Sequence, residues 1–219
     1  GQVKDADGES LIGLLSDGAL TATVKLTDQV GNEAEVSDSF TLDTTADVAP
    51  VMAVELVDGS GDGIVNAAEL NAAQLKVSGY DVADFGGLEI KISDTVSTIA
   101  ISIMAGEPFG VSVSVPTGTM GYTADTLQLV LSNYALTASV NLTAHSNGDG
   151  TYSVDAADAD LFAAGALLLS GDSVFGQVKD ADGESLIGLL SDGDLTASVK
   201  LTDAAGNTAT DSSDFTLDT

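Results

Sequence analysis

Leu195-Thr196-Ala197-Ser198-Val199-Lys200-Leu201-Thr202 places an apolar side chain at every second position and a polar one between. Successive side chains of a strand point to opposite faces of a sheet, so the stretch predicts a half-buried antiparallel strand. The same period runs outward through the chain. Leu88, Ile90 and Ile92 alternate with Glu89 and Lys91, and Val111, Val113 and Val115 with Ser112 and Ser114. Leu136, Ala138, Val140 and Leu142 alternate with Thr137, Ser139, Asn141 and Thr143. Gly, Asp and Asn punctuate these segments, and short helical turns are expected at residues 67–73 and 158–164. The predicted fold class is all-β, an antiparallel β-sandwich.

Residues 1–44 return as residues 176–219, an offset of 175 with 35 of 44 positions identical. Residues 1–18 and 176–193 are the same, and the differences come later, as in Ala19/Asp194, Glu33/Thr208 and Val36/Asp211. Two near-identical copies one period apart mark a tandem array. Residues 45–219 are then one complete repeat, and residues 1–44 the C-terminal part of a preceding one. Each repeat is expected to hold roughly ten to twelve strands. A seven-stranded sandwich takes about 100 residues, so the repeat is an enlarged sandwich or one with an insertion. Leu136-Thr137-Ala138-Ser139-Val140 recurs as Leu195-Thr196-Ala197-Ser198-Val199, through internal duplication or convergence of alternating strands. Leu20, Ala22, Val24 and Leu26 form an apolar face that a hairpin cannot bury alone. That face must pack against the missing half of its own repeat, against a neighbouring chain, or back onto this chain.

Composition excludes several classes of partner. Six lysines, no arginine and 34 acids give a formal net charge of −28. Such a polyanion is repelled by phosphate backbones and anionic lipid, so neither nucleic acid nor direct membrane insertion is expected, and divalent cations are the natural partners. A hydrophobic share of 44% and a mean hydropathy of +0.25 leave enough apolar surface for a core despite the charge. Cysteine is absent, which excludes disulfides and thiolate chemistry. No signal peptide and no long apolar run is visible, and a chain opening at Gly1 is expected to be a piece of something longer.

The strongest chemical signal is Asp58-Gly59-Ser60-Gly61-Asp62-Gly63-Ile64-Val65-Asn66-Ala67-Ala68-Glu69. It fits a twelve-residue calcium loop with oxygens at positions 1, 3, 5, 9 and 12 and glycine at 6. Asp58, Ser60, Asp62, Asn66 and Glu69 would supply side-chain oxygens and Ile64 its carbonyl, as a hard cation taking six to eight oxygens requires. The other reading is a Gly/Asp turn between a strand and a short helix. Residues 51–57 read as a strand, so a paired helix–loop–helix sensor is not expected; the ligand logic is grafted onto a β protein, and the site is structural.

Thr27-Asp28-Gln29-Val30-Gly31-Asn32 and Thr202-Asp203-Ala204-Ala205-Gly206-Asn207, each followed by Leu-Asp-Thr (Leu42-Asp43-Thr44 and Leu217-Asp218-Thr219), carry a resemblance. They resemble the bacterial immunoglobulin-like repeats that form the extender regions of giant RTX-type adhesins of Gram-negative bacteria, and residues 62–69 are similar to the start of such repeats. The resemblance implies an extracellular, cell-surface location and tandem sandwiches joined to adjacent repeats of the same polypeptide. It also implies calcium at the junctions stiffening a rod that projects a distal binding domain for attachment or biofilm formation. It supplies no activity. The commoner junction is Asp-Thr-Thr-Ala-Pro, whereas Asp47-Val48-Ala49 here lies between Ala46 and Pro50.

Asp28 with Asn32, and Asp203 with Asn207, flank turns, which their local side-chain bonding explains without a metal. They are also candidate junction ligands together with Asp43 and its counterpart Asp218, because strand-end carboxylates meeting at an interface would repel without a cation. In that reading Asp43 and Asp47 approach the 58–69 loop. Asp5-Ala6-Asp7-Gly8-Glu9 and its copy Asp180-Ala181-Asp182-Gly183-Glu184 are weaker candidates, and Asn147-Gly148-Asp149-Gly150 is a hairpin turn. His145 is the only histidine, with no nucleophile elbow near it, so no catalytic residue is singled out and the chain is not expected to be an enzyme. The rival to a spacer is a module in which residues 80–133 bind a glycan or surface directly. The absence of tryptophan argues against a sugar-stacking platform.

Overall fold

The computed structural model describes residues 4–8, 10–46, 48–106, 109–115, 122–132, 139–168, 170 and 173–219. Asp47, Glu9, Leu136 and Ala138 therefore lie outside the described residues. The chain forms two compact units, Gly1–Thr45 and Ala46–Thr219.

In the first unit a 3₁₀ turn at Leu11–Leu14 leads into a hairpin of β1 (Gly18–Thr27) and β2 (Glu33–Leu42). The pairing is antiparallel without a slip, from Gly18↔Leu42 to Thr27↔Glu33. The Asp17 carboxylate accepts the hydroxyls of Thr44 (2.7 Å) and Thr45 (2.9 Å), which ties off the open end. Val24, Leu26, Val36 and Phe40 of this hairpin are exposed.

The second unit contains β3 (Val48–Val57), β4 (Ile64–Asn66), β5 (Gln74–Tyr80), β6 (Phe85–Ser93), β7 (Thr98–Met104), β8 (Gly110–Ser114) and β9 (Thr126–Ser132). It continues with β10 (Ser139–Ser146), β11 (Thr151–Val154), α1 (Ala159–Leu168), β12 (Ser173–Lys179), β13 (Gly193–Asp203) and β14 (Thr208–Asp218). Among the described residues these twelve strands make one sheet ordered β3-β5-β12-β9-β10-β11-β8-β7-β6-β13-β14-β4. The sheet doubles over: Leu75, Gly176 and Val178 of one layer and Ile92, Ile99 and Ile101 of the other line a single cavity of about 20 Å³. This is an all-β sandwich. Every pair is antiparallel except β14 with β4, which run parallel because the chain reaches β4 through the acidic loop and not through a hairpin.

Alternation has the expected consequence in this unit. On β13, Leu195, Ala197, Val199 and Leu201 are buried, as are Leu88, Ile90 and Ile92 on β6 and Val111, Val113 and Val115 on and after β8. Each buried Leu, Ile or Val is worth about 1.5–3 kcal/mol against exposure. The helix α1 falls where a helical turn is predicted and runs further. Asp158 accepts the Asp160 N–H (2.9 Å) at its start, and Leu161, Ala164, Leu167 and Leu168 share the buried face. Its end is satisfied by Tyr80, whose hydroxyl donates to the Leu168 carbonyl (3.0 Å).

The two ends of the sheet face each other, and there the edge strand β3 is closed by a side chain. Val54 donates its N–H to the Asp211 carboxylate of β14 (3.0 Å), giving an edge amide the acceptor a neighbouring strand would otherwise supply. The β3–β5 ladder shifts register between Val48 and Ala53, a span containing Pro50, which has no N–H to give.

Asp94, after β6, ties the β6–β7 turn to the segment before β13. It accepts the N–H groups of Ser191 (2.9 Å), Val96 (2.6 Å) and Ser97. These donors, Ser191 first, outweigh burial and bring the carboxyl down to about 2. A depressed folded-state value means stability that is present above the unfolded value of 3.8 and lost as pH falls towards 2. Chemical denaturation is expected to show the stability gap between the wild type and Asp94→Asn narrowing by on the order of 1 kcal/mol from pH 5 to pH 2. A gap independent of pH would mean the carboxylate charge contributes nothing.

Candidate metal centre

The 58–69 loop follows β3 directly, and its glycines shape it. Gly59, Gly61 and Gly63 have φ of 91°, 77° and 78°, values that side-chain-bearing residues rarely adopt, and they curl the backbone back over Asp58. Asp58 is buried. One carboxylate oxygen accepts the Gly61 N–H and the other the Gly63 N–H (2.8 Å). The Gly61 N–H is the main cause holding this carboxyl below its usual range, against the opposing effect of burial. Asp62 is exposed and accepts from the Ile64 N–H (2.9 Å) and the Ser60 hydroxyl (3.0 Å).

The end of the loop is a reciprocal cap. Asn66 Oδ1 accepts the N–H groups of Ala68 (2.9 Å) and Glu69 (3.3 Å), while Glu69 Oε2 takes the Asn66 N–H (3.4 Å) and Nδ2–H (2.7 Å). That is the capping-box exchange, with Asn in place of Ser or Thr, and it starts the short turn at 67–72. Carboxylate oxygens of Asp58, Asp62 and Glu69 do not all lie within 4.8 Å of one another. The donor set nevertheless suits a hard cation: three carboxylates, an amide, a hydroxyl and the Ile64 carbonyl, all oxygen. Each Asp58 oxygen has a lone pair beyond the N–H it accepts. Closing the set requires Glu69 to leave Asn66 and turn inward.

The strand-end candidates of the Ala46–Thr219 unit, Asp203 with Asn207 and Asp218, fall at its two opposite ends. Val48 begins β3 beside Tyr80, and the 58–69 loop follows ten residues later, about 30 Å along the strand. Within this unit the loop is therefore at the far end of β3 from Val48. What it does meet is Asp218: β4 pairs with β14 so that Asn66 stands opposite Asp218 and Ile64 opposite Thr216. Thr216 also donates its N–H to the Gly63 carbonyl (2.9 Å). Asp192 completes this end by accepting the N–H (3.1 Å) and hydroxyl (2.9 Å) of Thr219.

At the entry end Asp203 is buried and bonded to Asn207, accepting its N–H (2.7 Å) and its Nδ2–H (2.9 Å). Burial raises the Asp203 carboxyl, and the two Asn207 donors reverse this to leave it lowered. A second carboxylate, Asp84, lies within 4.8 Å of it, placed by the 3₁₀ turn Val82–Asp84 whose Asp84 carbonyl accepts the Ala204 N–H (3.0 Å). Asp84 is not legible as a partner of Asp203 in the sequence, since 119 positions separate the two. In the first unit Asp28 and Asn32 make the same turn, with Asn32 giving its N–H (2.9 Å) and Nδ2–H (2.8 Å) to Asp28. Asp43 follows β2 and is half-buried. Asp182 and Glu184 give Asp180 their N–H groups (both 2.9 Å), again as a turn.

One open cleft of about 490 Å³ lies along β6, β13 and β14, lined by Glu89, Lys91, Ser198, Lys200, Thr210 and Asp211 among others, with no aromatic ring. No described helix is long and apolar enough to cross a membrane.

No protein-family model matches the chain, and no curated protein matches it in sequence. Among solved structures it is similar to a Ca2+-stabilized adhesin that helps an Antarctic bacterium reach out and bind ice, at 17% identity and a TM-score of 0.22 over 98% of this chain. It is similar to a tetra-tandem repeat in the extending region of a large adhesion protein, at 19% identity and a TM-score of 0.20 over 97%. A 1.5-MDa bacterial ice-binding adhesin follows at 16% identity and a TM-score of 0.21 over 93%. The chain spans 61% of the length of each of the first two and 75% of the third. These neighbours are adhesins or adhesion proteins, one of them a tandem-repeat region.

Proposed function

We propose that the chain is a structural extender module of a secreted cell-surface adhesin, immunoglobulin-like in its repeats and of the RTX type, whose ends are stiffened by calcium. The observation that carries the reading is the tandem copy: 35 of 44 residues recur one period apart, and a near-identical unit repeated in line suits a spacer. The acids sit where such a spacer needs a cation. One end of the Ala46–Thr219 unit holds the 58–69 loop and Asp218, the other Asp84 and Asp203. In an array those ends meet, and with a net charge of −28 they repel unless a divalent ion intervenes. The module has no catalytic role in this reading; it holds a distal binding domain away from the cell.

Calorimetry is expected to find calcium binding in the range of about 0.1–1 mM, with one site lost in Asp62→Ala/Glu69→Ala. An unchanged number of sites in that variant removes the 58–69 loop from the reading. Small-angle scattering of a chain of two or more repeats is expected to give a straight rod in calcium and a bent, variable ensemble in chelator, while far-UV circular dichroism at low temperature stays constant. Superimposable scattering profiles in the two conditions would sink the stiffening role even if the ion binds.

A further inference from the structure

Four strands of the sandwich carry a polar groove that neither the core nor the acidic ends use. Strand register puts Ser198 opposite Lys91 and Ser212, and Lys200 opposite Glu89 and Thr210. All six share one face, opposite to that of the buried Val199 between Ser198 and Lys200. They line the open cleft of about 490 Å³, and a second cleft of about 220 Å³, bounded by Ser102, Met104 and Thr202, continues it towards β7. Glu89 and Lys200 line both. The groove thus crosses β14, β13, β6 and β7, a width of about 14 Å at the spacing of paired strands.

Its charge runs against that of the molecule. Lys91 and Lys200 stand diagonally, their Cβ atoms about 7–8 Å apart, and the one carboxylate beside them, Glu89, is bridged to Lys91 at 3.0 Å. Among the described residues Lys200 has no ion pair. Its counterpart Lys25 is bridged to Glu33 at 2.7 Å and stands opposite Glu35, and in the second copy both acids are replaced, by Thr208 and Thr210.

We propose that this groove binds a saccharide bearing a carboxylate, a uronic acid, with Lys200 and Lys91 on the carboxylate and the hydroxyls of Ser198, Thr210 and Ser212 on those of the sugar. Two ammonium groups and one carboxylate leave a single positive charge, which suits a single anionic group. Side-chain hydroxyls both donate and accept, as sugar hydroxyls require. An extended acidic peptide lacks a strand edge to pair with, because β13, β6 and β7 are each paired on both sides. The net charge of −28 does not forbid the anion. Acids beyond about 8 Å are largely screened at physiological salt, whereas a densely charged polyanion would meet them along its length. No aromatic ring lines the groove, so recognition rests on charge and hydroxyls.

The test titrates the full chain, in calcium, with a tetrasaccharide of alternating glucuronic acid and N-acetylglucosamine, and follows the backbone amide signals by NMR. The expected result is shifts confined to β6, β7, β13 and β14, with a Kd on the order of 1 mM. Binding should weaken about tenfold in Lys200→Gln and in Thr210→Glu, which returns the acid of the first copy, and about as much for the neutral tetrasaccharide of N-acetylglucosamine. Lys200 and Thr210 are exposed, so neither substitution disturbs the core. Repeating the titration in chelator should leave the groove shifts in place, which keeps this site separate from any calcium site. An absence of shifts up to about 10 mM sugar, ten times the expected Kd, overturns the proposal. So does an equal response to the neutral sugar or to a tetrapeptide of glutamate. Binding that survives Lys200→Gln and vanishes in chelator also overturns it, since the uronate would then sit on a calcium ion.

Discussion

Gly86→Ala is expected to destabilise the Ala46–Thr219 unit by on the order of 3 kcal/mol or more, lowering its melting temperature by about 10 °C. A Cβ at position 86 would collide with the Asp203 carbonyl oxygen and stand 2.5 Å from its carbon. Both are backbone atoms, so no rotamer change relieves the contact. The crowding has a local cause: the β13–β6 ladder shifts between Thr202 and Asp203, bringing Asp203 opposite Phe85 and pressing its backbone onto Gly86. The unit must then give up either the bulge or the burial of Asp203 beside Asp84. Gly176→Ala is the control, since its Cβ would meet Leu131 at 3.5 Å, an ordinary contact. Thermal melts of the two variants should differ clearly; equal melting temperatures would show that the strand end yields more easily than its packing indicates.

The second expectation uses the repeat as its own control. Leu201→Ala and Leu26→Ala change the same residue in the same strand of the same hairpin, and chemical denaturation should separate them by about 2–5 kcal/mol. Leu201 is buried in the sandwich core, so truncation loses transfer energy and leaves a cavity. Leu26 is exposed, and its truncation should stay within about 0.5 kcal/mol. Similar losses at both positions would mean that the β1 face is covered in solution, and the concentration dependence of the Leu26→Ala effect would show whether another chain covers it.

Among the candidate ligands, local and distant order separate cleanly. Asp28 with Asn32 and Asp203 with Asn207 form the same bonded turn in both copies, with Gly31 and Gly206 at φ of 91° and 95°. The turn closes within a few residues, and its four-residue spacing is legible directly. The loop likewise follows from its glycine spacing, which wraps the backbone on Asp58, and from the Asn66/Glu69 spacing, which makes a cap. Both Asp58 oxygens accept N–H groups of positive-φ glycines, Gly61 and Gly63, the donors that the curled backbone turns towards them.

Alternation in Leu195 to Leu201 was sufficient to establish a strand, its two faces and the all-β class, since side-chain direction along a strand depends on nothing beyond the chain itself. It was equally present in Leu20 to Leu26, and there the apolar face is bare. Which face becomes core depends on a partner strand and an opposing layer more than a hundred residues away, β6 and β3 for the second copy. The parallel seat of β4, the Asp211 closure of the β3 edge, the meeting of Asp84 with Asp203 and the distance of the 58–69 loop from the chain's entry share that origin. Torsion preference and short hydrogen-bonded turns are properties of neighbours in sequence, whereas burial and charge proximity arise only once distant strands are in register.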